Sequence, residues 1–215
     1  MNQVSNIEFV ENGLEVHTRG LLAQGHAELS VNVADVAILA ESKEFLRSVV
    51  SYMLEQSAQI RPGETLPYGY WLVKFELRDD RMLQAWEYNP EGTEFVPGAT
   101  LALTYWRDQH VVCEKFSGEF SAPLADKLAV ISEGVLEGDP VQGVRYPSPE
   151  HMSGWWITTD RYNGEINTLK NEHLYHVTAA RPELVRYLGL PDGFRFDLSA
   201  REDVWFDQDV ANESV

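Results

Sequence analysis

The chain has 215 residues, 44% hydrophobic and 11% aromatic, enough apolar material for one large or two small cores and too much for disorder. Lys and Arg total 17 against 34 Asp and Glu, a formal net charge of −17, and no basic stripe with interleaved aromatics occurs; nucleic acid and anionic membrane are therefore disfavoured as partners. With no 18-residue apolar run, no basic-then-apolar leader and a lone Cys113, the expectation is a cytoplasmic protein without membrane span, internal disulfide or thiolate zinc site.

In chain order, residues 7–18 (IEFVENGLEVHT) place Asn12-Gly13 between two short alternating segments, a hairpin signature. Residues 27–33 (AELSVNV) alternate again, with Leu29, Val31 and Val33 on one face. The period then changes: Phe45, Val49, Tyr52, Met53 and Gln56 recur at helical spacing, predicting a helix over 42–60 capped by Ser42 and stopped at Arg61-Pro62-Gly63. Residues 68–77, 83–89 and 100–116 are rich in aromatic and β-branched residues and read as strands, the last folding back at Arg107-Asp108-Gln109. The result is a meandering antiparallel sheet packed against one long helix.

Residues 123–136 (PLADKLAVISEGVL) read as a second helix. The Pro- and Gly-rich stretch beyond it sets the expected division: an N-terminal α+β domain over 1–140, a linker over 141–150, and a small C-terminal α+β domain over 151–215. In that second part, residues 152–159 (MSGWWITT) form a strand, 169–180 a helix, 182–188 a shorter helix opened by Pro182, and 194–198 a strand. The charge excess is spread along the chain, −12 over residues 1–150 and −5 over 151–215.

Motifs that carry chemistry are scarce. No phosphate-binding glycine loop and no G-x-S-x-G elbow occurs. Glu172-His173-Leu174-Tyr175-His176 spaces its histidines three apart, where the zincin motif needs four, so an enzyme or metal protein built on His173, His176, Glu172 and Asp160 ranks last. The acidic clusters Asp79-Asp80, Glu202-Asp203 and Asp207/Asp209 read as solvated turns or as a protein interface. Trp205 and Phe206 favour the interface at the C-terminal cluster, because an aromatic anchor flanked by charge suits protein binding better than isolated carboxylates.

S-G-W-W at 153–156, H-L-Y-H at 173–176, R-P-E-L at 181–184 and L-P-D-G-F-R-F at 190–196 together resemble the immunity-protein-33-like domain, over roughly residues 151–210. That resemblance implies a non-catalytic protein of bacterial polymorphic-toxin and secretion-system loci, type VI among them, that neutralises a cognate toxin by binding it. No catalytic residue, metal or cofactor is implied. The expected partner is a toxin with a basic surface, a cytoplasm-acting nuclease, and the expected contacts are Glu202, Asp203, Trp205, Asp207 and Asp209, with Asp79 and Asp80 as a second patch. Two alternatives stay open: an adaptor or chaperone that loads a secreted effector, and a homodimer through exposed sheet edges.

Overall fold

A computed structural model describes residues 6–213 of the chain. The first hairpin forms where Asn12-Gly13 predicts it, β1 (Glu8–Asn12) pairing β2 (Glu15–Arg19) with Gly13 at φ 62°. β3 (Leu29–Asn32) follows, with Leu29, Val31 and Val33 buried as the alternation requires. The predicted long helix is α1 (Leu39–Glu55), which buries Phe45, Leu46, Val49, Val50 and Met53 and packs on β2 and β3. Its ends differ from the expectation. Asp35 caps the preceding single-turn helix through a bond from Ala37 N (2.9 Å), and Ser42 lies inside α1, donating its hydroxyl to Ile38 O. The helix stops at Glu55, seven residues before Pro62; just beyond it Ser57 turns left-handed (φ 52°) and Ala58 N reaches back to Met53 O at 2.9 Å, a Schellman closure.

The expected strand over 68–77 is two: β4 (Thr65–Tyr68) and β5 (Trp71–Leu77), joined tightly through Gly69. β6 (Leu83–Tyr88) and the short β7 (Phe95–Pro97) complete the sheet, in the order β1-β2-β3-β6-β5-β4 with β7 beside the last residues of β6. It is not wholly antiparallel, because β3 runs parallel to β6. Residues 100–116, read as a folded-back strand, form a single helix, α2 (Thr100–Lys115). Its buried residues Ala102, Leu103, Tyr105, Gln109, Val112 and Cys113 recur at helical spacing, and the polar Gln109 disguises that stripe. The helix start is capped from outside the segment: the buried Glu87 carboxylate on β6 accepts Leu101 N (2.9 Å) and Ala102 N (2.6 Å).

Residues 123–136 are not a helix. They contain β8 (Leu128–Ile131), a four-residue interior strand whose continuous apolar run has no period to separate it from a helical face. The expected linker is also structured: β9 (Val141–Arg145) is an interior strand, followed by β10 (Met152–Thr159). Residues 169–180 divide into β11 (Lys170–His173) and α3 (Leu174–Ala180), then the 3-10 helix Pro182–Tyr187, β12 (Phe194–Asp197), β13 (Asp203–Phe206) and α4 (Gln208–Ala211). The sheet order is β11-β8-β10-β9-β12-β13, antiparallel except for β8 with β10.

Two compact units result. One holds the chain up to Asn89 with Thr93–Thr104; the other holds Pro90–Gly92 with the chain from Tyr105 onward. The division falls inside α2, well before residue 141. The core of the second unit is one face of its sheet, where Trp155, Ile157, Val141 and Phe196 are fully buried. The side chain of Arg145, placed in the linker by sequence, belongs to this core, donating to the carbonyls of Ser121 and Leu190 and pairing with Asp192 at 3.2 Å. No helix among the described residues is long and apolar enough to cross a membrane.

Candidate partner-binding face

The second unit turns its other sheet face outward, and the S-G-W-W segment shows how. Gly154, at φ 80°, interrupts the β8–β10 register between Met152 and Trp156; a Cβ there would lie 2.3 Å from Tyr146 O, so only glycine fits. After the bulge the two tryptophans diverge. Trp155 enters the core and donates its indole N–H to Leu188 O at 3.3 Å, while Trp156 faces out and remains half-buried.

Pairing registers extend that outward position across all six strands. Asn171, Val130, Trp156, Val144, Arg195 and Trp205 are successive partners and share one face. The next row is Thr158, Gln142, Asp197 and Asp203. The first row is largely apolar, which is unusual for the solvent face of a sheet. Two concavities open on it. One, about 410 Å³, is lined by Val130, Tyr146, Pro147, Pro149, Met152 and Trp156, with Glu213 also contributing; the Tyr146 and Trp156 rings meet edge to face at 5.8 Å. The other, about 330 Å³, lies between Val130, Trp156, Leu169 and the exposed Ile166.

Charge on the face is asymmetric. Arg195 sits 6.0 Å from the Trp205 ring and pairs with Asp207 at 2.9 Å. Burial raises the Tyr146 phenol above its ordinary pKa, with the Glu213 carboxylate adding to the effect. Asp203 is exposed at the far edge, on the same face as Trp205.

The residues singled out by sequence fall into two groups. Glu202, Asp207 and Asp80 have internal tasks. Glu202 accepts Lys115 and the Tyr187 hydroxyl (2.8 Å), and Lys115 holds its carboxyl below the ordinary range. Asp207 holds Arg195 and caps α4 through Asp209 N and Val210 N. Asp80 pairs with Arg78 at 2.5 Å, which lowers its pKa. Asp203, Trp205, Asp209 and Asp79 present exposed side chains. Of these, Asp203 and Trp205 share the open face, while Asp79 and Asp80 occupy the β5–β6 turn of the first unit. Sequence reasoning missed Trp156, Tyr146, Val130 and Glu213. Alternation in MSGWWITT does signal that its two tryptophans point opposite ways.

The histidine motif brings together no metal-binding cluster among the described residues. His173 Nδ1 lies 2.6 Å from Asp126 O and His176 Nδ1 2.5 Å from Glu172 Oε1; no group of three or more His, Cys, Asp or Glu could hold a metal ion.

Residues 108–207 match the family model of the Imm33-like domain. The match begins inside α2 and runs through β13, so it covers nearly all of the second unit's sheet, including the open face, and starts some forty residues before the segment in which the motifs were legible. No curated protein and no solved structure matches the chain.

Proposed function

We propose that this chain, which carries an Imm33-like domain, is an immunity protein that binds a cognate toxin in the cytoplasm and neutralises it by occlusion, without catalysis. The observation that carries this reading is the family match together with what the matched residues build: a sheet with one face in the core and the other carrying the half-buried Trp156 and Tyr146 and the exposed Trp205. Large amphipathic aromatics on a rigid sheet suit a protein interface, where such residues supply most of the binding energy.

A nuclease delivered by a secretion system is the toxin class that the charge favours. Nucleases hold their substrate in basic clefts, and a surface of net −17 attracts such a cleft over long range and speeds association. The contact set comprises Asp203, Trp205 and Asp209 first, then Glu202 and Asp207, with Asp79 and Asp80 as a separate patch.

The test is co-expression with the product of the adjacent reading frame in a naive host. Killing by the neighbour alone, rescue by this chain and co-purification of the pair are the expected results. A harmless neighbour that still co-purifies would instead identify an effector adaptor, and killing without rescue would remove the immunity reading.

A further inference from the structure

The open face contains two arrangements of the same chemistry, and in the second, among the described residues, the carboxylate has no cation paired with it. In the first, the Arg195 guanidinium lies 6.0 Å from the Trp205 ring centroid with the Asp207 carboxylate 2.9 Å from its Nη1. Aromatic ring, guanidinium and carboxylate form a compact set in which the cation meets a π face and an opposite charge together. In the second, about two strands away, the rings of Trp156 and Tyr146 stand edge to face at 5.8 Å beside the Glu213 carboxylate. These three residues line the 410 Å³ concavity, whose walls also include Met152, Pro147 and Pro149. Arg195 reaches the Tyr146 side chain by a hydrogen bond, but its charge is met by Asp207, and among the described residues no cation pairs with Glu213.

We infer that this concavity is an anchor pocket for an arginine side chain of a basic partner protein, its guanidinium seated against Trp156 and Tyr146 and bridged to Glu213. Arginine is preferred over lysine because its planar, weakly hydrated head stacks on aromatic rings and meets a carboxylate through two parallel donors, while its stem packs on Met152 and the prolines. Charge complementarity fixes the occupant's sign: among the described residues the pocket's only charged lining residue is a carboxylate, and the chain as a whole is strongly acidic. In the function proposed above, on which the identity of the partner rests, the arginine would come from the toxin's basic surface. The pocket then lies at the β9–β10 end of the open face, with Asp203 and Trp205 on the edge strand β13, an arrangement in which a buried anchor carries the affinity and the surrounding contacts exclude water.

Two measurements test this on the full chain. In the first, N-acetyl-arginine amide is titrated while the Trp156 indole resonance is followed, with the neutral isostere N-acetyl-citrulline amide as comparator. The expected result is saturable movement of the Trp156 signal, at least fivefold weaker binding of citrulline, and loss of that discrimination in Glu213→Gln. Equal response to both probes, or none at Trp156, overturns the pocket. In the second, affinity for the neutralised toxin is compared across Trp156→Ala, Glu213→Lys and the control Tyr52→Ser on the first unit. A loss of tenfold or more in the two pocket variants, with the control unchanged, supports the inference. Unchanged affinity with a stable complex overturns the pocket while leaving the immunity reading intact. If no toxin complex forms with the unmodified chain, the immunity reading fails instead, and the probe titration still decides the pocket by itself.

Discussion

Single residues here do work that their local sequence does not announce. Glu87 is 4% exposed, and burial raises its carboxyl to about 7 from an ordinary value of 4.5, opposed by the amides at the start of α2. The sign of its effect follows. Below pH 4.5 the group is protonated in both states; between 4.5 and 7 the unfolded chain ionises and the folded one resists, so folding stability falls with rising pH and levels off above 7. The shift corresponds to about 3 kcal/mol. Denaturant unfolding of the wild type against Glu87→Gln should show the wild type losing that much relative to the variant between pH 4.5 and 8. A relative gain with pH would instead mean that the helix amides hold the carboxylate ionised. Arg145 is a second case, a buried cation whose pKa burial lowers while Asp192 opposes the change. It ties the carbonyls of Ser121 and Leu190 to β9, and Arg145→Ala should cost about 3 kcal/mol or more, read as a lower denaturation midpoint at unchanged slope. Arg145→Lys should rescue little, since one ammonium cannot reproduce the fork that meets two carbonyls and a carboxylate.

At the scale of elements, the sequence read best where periodicity was strong and the segment's ends were incidental. The α1 stripe, the β1–β2 hairpin and the Val31 alternation needed no tertiary information. The readings that failed were of another kind. α2 carries strand-favouring Thr, Tyr, Trp and Val, and its cap comes from Glu87, distant in sequence, so local propensity pointed the wrong way. β8 is too short for its period to show, and β9 hides among the prolines and glycines of 138–150 because its interior position is set by β10 and β12 rather than by its composition. This matters for dissecting the protein. A fragment of residues 151–215 lacks both sheet neighbours of β10, leaving Trp155 and Ile157 without a core. It should give an unfolded near-ultraviolet circular dichroism spectrum and exchange its amides freely. A cooperative thermal transition from that fragment would restore the 141–150 boundary.

Across the whole molecule the acidic excess is the property most open to experiment. If association with the proposed toxin is steered by the net charge of −17, its on-rate should fall several-fold between 50 and 500 mM salt while the off-rate changes little. The double reversal Asp203→Lys/Asp209→Lys should slow association further without lowering stability; including Glu202 and Asp207 would confuse the result, because reversing them also breaks the Lys115, Tyr187 and Arg195 contacts. Unchanged kinetics in the double variant would remove this edge from the interface. The sequence by itself determined the α+β class, the long helix against a sheet, the acidic character and, through four short motifs, the Imm33-like segment, because each is written in composition or in spacing within a few residues. Only the tertiary structure decided where the units divide and which tryptophan faces out. It also decided which acidic side chains are already bound internally and that Tyr146, Trp156 and Glu213 line one pocket. Those outcomes depend on strand register and on partners far along the chain, and a one-residue change of register reverses every facing while leaving the local pattern the same.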